Sequence, residues 1–389
     1  MAKRPQVALL VETSNAYARG LLCGINAYMR EHRPWSIILP ERGRGDAPLK
    51  WLRTWRGDGV IARIETRRIA AIVREMRAPT VNVGAARLVP EFPSVETDNR
   101  AIARLAFAHL FERGFRSLAY CGERRFPWSL ERGHWFADMA RKAGCMLAVY
   151  PSADSKHSST APWDQDLREL TEWIRQLPRL CGMMVCHDYL GRQVLDICRG
   201  CAIAVPDELA VVGVDNDDLF CNMSDPPLTS VAPDTHRAGY QAAELLDQMM
   251  AGRKLKKGSC LIEPTGIITR TSSDVFATDD AEVSAAVRVI REHACDGIKV
   301  QDVMRMVPLS LRILESRFKR IVGHSMQEEI LRVRLQRVKQ LLAETDLSQA
   351  SIAKLTGFKV KEYLSRAFRQ RFRQTPGQYR TDRGGLSQS

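Results

Sequence analysis

The residues of this 389-residue chain that could do chemistry form two groups of different character. The first lies near the C-terminus: Ser310, Arg312, Glu315, Ser316 and Lys319, then Lys359, Lys361, Glu362, Arg366 and Arg369. Cations pair with phosphate oxygens, a bidentate Arg matches the O6/N7 edge of guanine, and a carboxylate accepts from the cytosine amine. Arg312 and Arg366 suit guanine, Glu315 suits cytosine, and Arg369, Lys319 and Arg337 suit phosphate. Each of these, taken singly, is either a nucleic-acid contact or a solvated charge. The second group is scattered over the first 220 residues: Asn15 and Tyr17, Trp128 and Arg132, His187 and Asp188, Asp215 and Asn216. Paired polar groups beside an aromatic face suit a sugar, because charged partners make the stronger hydrogen bonds to hydroxyls while a ring covers C–H surface. Trp128 is either that ring or an ordinary core or surface aromatic. Asp215 is either a ligand carboxylate or a strand-end cap, and Asp98 reads as the cap of the helix that follows it.

The elements that must position the second group alternate along the first 275 residues. Short apolar runs, VALLVE (7–12), WSIIL (35–39), GVIARI (59–64), TVNVG (80–84), SLAYCG (117–122), GMMVC (182–186) and LAVVGVD (209–215), read as strands. Amphipathic segments at 16–31, 66–77, 98–113 and 165–177 lie between them. Continuous apolar strands alternating with helices imply parallel sheets covered on both faces. Two such blocks are expected, about 1–95 and 115–230, followed by SVAPD (230–234), a helix at 235–251 and a last pair of strands near 260–270. In such sheets ligands sit beyond the C-terminal ends of the strands, which is where the second group falls. The two halves of this first domain, 1–275, are expected at roughly 1–100 plus 230–275 and at 101–229, with the crossovers between them left open.

The polar stretch 271–282 is expected to be a linker. Beyond it strand signals vanish and 283–383 reads as helical, with breaks at Gly297, Pro308, Gly323, Gly357 and Pro376 and a tail at 384–389. Val300, Val303, Met304 and Val307 form one apolar face. Ser310 is a plausible N-cap, Leu311, Leu314, Phe318 and Ile321 form a second face, and Gly323 fits a C-terminal cap. A long helix comes next, through Leu331, Leu335, Val338 and Leu342. The pattern then recurs, with Ile352, Ala353 and Leu355, a Gly357-Phe358 turn, and Leu364, Ala367, Phe368 and Phe372 facing inward. Lys361, Glu362, Ser365, Arg366 and Arg369 face out. Two helix-turn-helix units are expected, near 300–321 and 348–371.

Charge agrees with that division. Residues 281–389 hold 21 Lys/Arg against 11 Asp/Glu, so they carry +10 of the net +13. A near-neutral large part joined to a basic small part points to an anionic partner for the small part, or to a solvated basic face.

The run SIAKLTGFKVKEYLSRAFRQRFRQTPGQYR (351–380) resembles the signature of AraC-type regulators, and LRILESRFKRIVGHS (311–325) resembles the first helix-turn-helix of that family. The family pattern usually has Ser where this chain has Val360, and often has Gly where it has Arg373. HLFERGFRSLAYCG (109–122), AIAVPDELAVVGVDN (202–216) and SVAPDTHRAGYQAAELLDQMMAG (230–252) resemble the sugar-sensing domain of LacI-type repressors, itself similar to periplasmic sugar-binding proteins. That resemblance implies a two-lobed α/β domain, and Arg132, Asp188 and Asp215 fall where such sensors hold sugar hydroxyls. A LacI-type sensor ahead of an AraC-type reader resembles the regulators of the bacterial xylose operon. The fold expected is therefore a two-lobed periplasmic-binding-protein-like α/β domain followed by an all-α double helix-turn-helix domain.

Together the residues and the resemblance imply a cytoplasmic transcription regulator of sugar catabolism with no cofactor. Its expected partners are double-stranded promoter DNA, a xylose-like sugar, a second copy of itself, and RNA polymerase if it activates. A regulator that is ligand-independent, or that takes another ligand, remains the alternative. An enzyme is disfavoured. TSNAYARG succeeds the first strand, where a nucleotide fold would carry a glycine-rich loop, and no Ser/His/Asp or metal set emerges. The Cys198/Cys201 pair has no second CxxC, so it reads as structural. No apolar run approaches the roughly 20 residues that span a bilayer.

Overall fold

The computed structural model describes residues 4–41, 52, 54–151, 163–253, 258–278, 280–345 and 347–380. The chain falls into two compact units, Met1–Val275 and Phe276–Ser389. The expected tail at 384–389 lies outside the described residues.

In the first unit, strands β1 (Gln6–Leu10), β2 (Ser36–Ile38), β3 (Gly59–Ala62), β4 (Thr80–Asn82) and β5 (Ser94–Thr97) alternate with helices α1 (Ala16–Glu31) and α2 (Arg67–Met76). Helix α3 (Asn99–Glu112) begins the second lobe. There β6 (Ser117–Cys121), α4 (Pro127–Lys142), β7 (Met146–Val149), α5 (Trp163–Arg175), β8 (Cys181–Val185), α6 (Asp188–Gly200), β9 (Leu209–Val214), α7 (Asp218–Met223) and β10 (Thr229–Ala232) come in turn. Helix α8 (Thr235–Met250), β11 (Ser259–Ile262) and β12 (Gly266–Ile268) complete the unit. The first sheet has the order β11-β5-β4-β3-β1-β2 and the second β12-β10-β9-β8-β6-β7. Among the described residues every strand pairing is parallel except that of β10 with β12. The central strands β3, β8 and β9 are buried along their whole length, as a sheet covered on both faces requires.

The lobe boundaries expected from sequence need correction. β10 and β12 belong to the second sheet, and β11 alone returns to the first. The chain therefore crosses between lobes three times: after Thr97, after Ala232 and after Ile262. The strands near 260–270 pair with β5 and β10, not with each other. β5 (SVET), short and mixed in polarity, and β7 (MLAV), a run of only four residues, were not read as strands.

The expected linker is also corrected. Ser272 and Ser273 are fully buried. Ser272 Oγ donates to Val211 O (2.7 Å) and accepts from Thr229 N–H (2.8 Å), and Ser273 Oγ lies 2.8 Å from His109 Nε2. These hydroxyls serve buried groups inside the first unit, so polarity here does not mean exposure. At the far end Asp280 caps α9 (Ala281–His293), which starts within the stretch read as linker.

The second unit is helical: α9, α10 (Val300–Met306), α11 (Leu311–Val322), α12 (Met326–Glu344), α13 (Gln349–Leu355) and α14 (Lys361–Phe372). It has two apolar cores. One gathers Val283, Val287, Ile290, Val303, Leu314, Phe318 and Val322; the other gathers Ile352, Phe358, Leu364 and Phe368. Helix α12 serves both, giving Met326 and Ile330 to the first and Leu335, Val338 and Leu342 to the second. The buried stripe of α11 is Leu314, Phe318 and Val322, while Leu311, expected on that face, is exposed. All ten cysteines, Cys198 and Cys201 included, are free thiols. Among the described residues no helix is long and apolar enough to cross a membrane.

Candidate ligand cleft and nucleic-acid interface

Side chains from both lobes of the first unit line one pocket of about 330 Å³ empty volume. Tyr17 enters from α1, Arg63 and Glu65 from the end of β3, Thr97 from the end of β5, Asn99 from the first residue of α3, Trp128 and Arg132 from α4, and Asp215 from the end of β9. Strand ends and helix starts supply these groups because the crevice lies beyond the C-terminal ends of parallel strands.

The first-lobe wall is built around a buried cation. Arg63 Nε is 3.1 Å from Glu65 Oε1 and Arg63 Nη1 is 3.4 Å from Glu12 Oε2. Burial works against its charge, but the two carboxylates overcome that and hold it above its ordinary value. Its guanidinium lies 4.9 Å from the Tyr17 ring centroid, and the Tyr17 hydroxyl lies 3.2 Å from Thr97 Oγ1. Burial pushes the Tyr17 phenol up, so it stays a neutral hydroxyl able to donate or accept.

The second-lobe wall carries the other cation. Arg132 is buried; its Nε donates to Asn99 Oδ1 (2.9 Å) and its Nη1 to Cys186 O (2.6 Å). Its guanidinium sits 4.9 Å from the Trp128 ring, and Phe126 stacks on Trp128 at 5.0 Å. Beside them His187 Nδ1 accepts from Leu190 N–H and so caps α6, while Nε2 faces Glu123 Oε1 at 3.5 Å. Burial would raise Glu123, but His187 and then Arg125 take it down to about 2. Asp215 and Asn216 have φ of 110° and 46°, two successive non-glycine residues in the left-handed half of backbone space. Such strain persists only where surrounding structure imposes it. The Asn216 amide donates to Ser230 Oγ, and its Oδ1 accepts from Arg270.

Of the ligand residues expected from sequence, Tyr17, Trp128, Arg132 and Asp215 come together in this pocket; Asn15 and Asp188 do not. Asn15 Oδ1 caps α1 by accepting from Ala18 N–H. Asp188 is 1 % exposed, and both its oxygens are occupied. Oδ1 accepts from Ser230 Oγ (2.6 Å), and Oδ2 from Asp217 N–H (2.7 Å) and Cys221 Sγ (3.4 Å). Burial, then the neighbouring Asp215 charge, pushes its carboxyl well above the usual range. Asp188 thus pins the β9–α7 turn that presents Asp215. Asp98 caps α3 through Ala101 N–H, as its position suggested. Sequence reading missed Arg63, Glu65, Thr97 and Asn99. Charges directly after the buried run GVIA, and a Thr and an Asn flanking the Asp98 cap, were the available signals.

In the second unit α10–α11 and α13–α14 are helix pairs joined by tight turns. Arg312, Glu315, Ser316 and Lys319 are exposed on α11; Lys361, Glu362, Arg366 and Arg369 are exposed on α14, with Lys359 exposed just before it. Ser365 departs from the expected outward set: it is half-buried, 3.5 Å from Gln349 Oε1. Arg337 is exposed on α12 and donates to Gln340 Oε1. Ser310 and Val360 both occupy N-cap positions, and neither makes a side-chain cap bond. Arg373 ends α14 at φ 60°, the left-handed conformation a glycine adopts freely. Arg334 ties the unit together from α12, donating to Ala294 O and Ile298 O at 2.7 Å each.

Three family models match this chain: XylR N-terminal domain over residues 6–100, periplasmic binding protein-like domain over 107–273 and helix-turn-helix domain over 303–382. The xylose operon regulatory protein of Escherichia coli K12 is 32% identical, covering 97% of each chain. That of Haemophilus influenzae is 30% identical, covering 96% of this chain and 98% of its own. Among solved structures, one described as the xylose-binding transcription activator xylR is 30% identical, with a TM-score of 0.75 and 98% of each chain covered.

Proposed function

This chain belongs to the family of xylose operon regulatory proteins, and from that premise we propose that it binds D-xylose, or a pentose of similar hydroxyl arrangement, in the cleft of its first unit and so alters its occupancy of promoter DNA. The observation that carries the reading is the chemistry of the pocket wall. Two guanidinium groups, Arg63 and Arg132, face two carboxylates, Glu65 and Asp215, beside the Tyr17 and Thr97 hydroxyls and the Trp128 ring. That balance suits a neutral polyol. An anion would leave the carboxylates opposed, and a cation would leave the arginines opposed. Asp215 and Arg132 are assigned to sugar hydroxyls and Trp128 to the C–H face of the ring.

The reader is assigned to duplex DNA. Its recognition helices α11 and α14 enter successive major grooves, about 34 Å apart on one DNA face. Arg312, Glu315 and Arg366 are assigned to base edges, and Lys319, Arg337 and Arg369 to phosphates. Sugar shifts promoter occupancy only insofar as it binds one conformation better than another. The acting form is proposed to be a homodimer in the cytoplasm that recruits RNA polymerase when it activates.

Calorimetric titration with D-xylose, L-arabinose, D-ribose and D-glucose, paired with footprinting on the neighbouring promoter, tests this. Asp215→Ala should weaken xylose about 10- to 100-fold, the range for losing a hydrogen bond to a charged group. Heat from no sugar, together with an unchanged footprint, overturns the reading.

A further inference from the structure

Arg87 does not line the pocket. It sits on the turn between β4 and β5 with φ at 51°, an unusual conformation for a long side chain. Although 58% of its side chain is exposed, it lies between two carboxylates of different lobes. Nε is 3.7 Å from Glu96 Oε2 on β5, and Nη2 is 3.0 Å from Glu131 Oε1 on α4. Glu96 is buried at 2% exposure; its Oε1 accepts from the Ser94 and Ser259 hydroxyls, and its Oε2 has no hydrogen bond. Arg87 is thus a counter-ion for a buried first-lobe charge, and its other nitrogen reaches the second lobe.

The link continues inward. Glu131 Oε2 accepts from Asn99 Nδ2 (3.0 Å), and Asn99 Oδ1 accepts from Arg132 Nε (2.9 Å). A carboxylate only accepts and a guanidinium only donates, so the two neighbours set the Asn99 amide in one orientation. Arg132 and Asn99 both line the pocket. The opposite edge of the cleft has a looser contact, Asp217 Oδ2 at 3.3 Å from Ala16 N and 3.9 Å from Arg19, with no comparable chain to a pocket-lining side chain among the described residues.

We infer that Arg87 is a positioning residue for the sugar: it holds the first lobe to Glu131 and, through Asn99, sets the aim of Arg132. Opening the cleft separates Arg87 from Glu131, so the aim of Arg132 and the closed state rise and fall together. This rests on the sugar reading of the cleft for its ligand, but the interlobe link itself does not.

The test uses the full-length protein with D-xylose as probe, read by calorimetry, and hydrogen–deuterium exchange over 94–99 and 128–132 without sugar. Arg87→Ala should raise Kd about three- to fivefold, the range of a partly exposed ion pair. Glu131→Ala should do the same while leaving the Arg87–Glu96 pair in place, so a loss there cannot come from the stranded Glu96 charge. The double variant should be no worse than either single one, Arg87→Lys should stay within about twofold of wild type, and both alanine variants should speed sugar-free exchange. Additive losses, or unchanged Kd and exchange in Glu131→Ala, overturn the link. Faster exchange in a protein that binds no sugar keeps the link and removes the sugar reading.

Discussion

The two helix-turn-helix units correspond residue for residue at an offset of 50: Leu314 with Leu364, Phe318 with Phe368, Gly323 with Arg373, Ser325 with Thr375 and Glu328 with Gln378. Their scaffolds match in structure too. Leu314 and Phe318 fill one core, Leu364 and Phe368 the other. Ser325 and Glu328 exchange hydrogen bonds at the start of α12, and Thr375 and Gln378 do the same after α14. The outward faces differ: Arg312 and Ser316 stand where the second unit has Glu362 and Arg366, exposed Glu315 stands where it has half-buried Ser365, and only the cation at Lys319 and Arg369 is kept. The repeat has kept what packs and changed what faces out, so two different half-sites are expected for one scaffold. The caps differ as well. Ser310 against Val360 changes little, because neither side chain bonds the helix. Gly323 against Arg373 places a side chain on a left-handed cap residue only in the second unit.

The comparison can be broken hardest at its shared core. Phe318→Ala and Phe368→Ala should each cost about 3–5 kcal/mol. In urea denaturation the two losses should be alike if the units are equivalent; a loss below about 1 kcal/mol at either would mean that its core is not closed around the ring. Next comes Gly357, which has no equivalent role in the first unit. Its φ is +71°, and a Cβ there would stand 2.8 Å from Cys295 O and 2.9 Å from Ala294 O, in the turn between α9 and α10. Gly357→Ala should cost about 2–4 kcal/mol from left-handed strain plus a backbone clash. It should also weaken DNA carrying both half-sites more than DNA carrying one. Equal weakening on the two DNAs would remove Gly357 from setting the spacing of the recognition helices. The smallest effect belongs to the caps. Arg373→Gly should stabilise by about 0.5–1 kcal/mol, relief of left-handed strain less the added freedom of the unfolded chain. Gly323→Ala should destabilise by about 1 kcal/mol, since nothing lies within 4 Å of the added Cβ and only φ strain opposes it. Thermal melts moving in the same direction for both would show that the two caps are not alike.

Much of this architecture was written locally. Apolar runs alternating with 3.6-period segments implied the parallel sheets, and the recurrence of the Leu-x3-Phe stripe implied the two units, because periodicity within one element reports which face it buries. The positive φ at Arg373 was foreseeable because Arg373 stands where the AraC-type pattern often has Gly, at the turn that ends a helix. Polar residues misled at the end of the sensor. Ser272 and Ser273 looked like linker, yet Ser272 serves buried backbone groups of β9 and β10.

Residue types and spacing alone determined that this chain joins a near-neutral part of two alternating α/β blocks to a basic part of paired helical units; that the first senses and the second reads came from the family resemblance. They also placed Tyr17, Trp128, Arg132 and Asp215 near strand and helix ends. Only the tertiary structure decided which of those ends meet. Asp215 comes directly after buried β9 and Asp188 three residues after buried β8, yet Asp188 is sealed under Ser230, Asp217 and Cys221 while Asp215 faces the cleft. Arg63, Glu65, Thr97 and Asn99 join the pocket from widely separated stretches of chain. The physical reason is that a pocket wall is set by three crossovers between lobes and by the hydrogen bonds that close around them. Neither leaves a periodic trace in any single element.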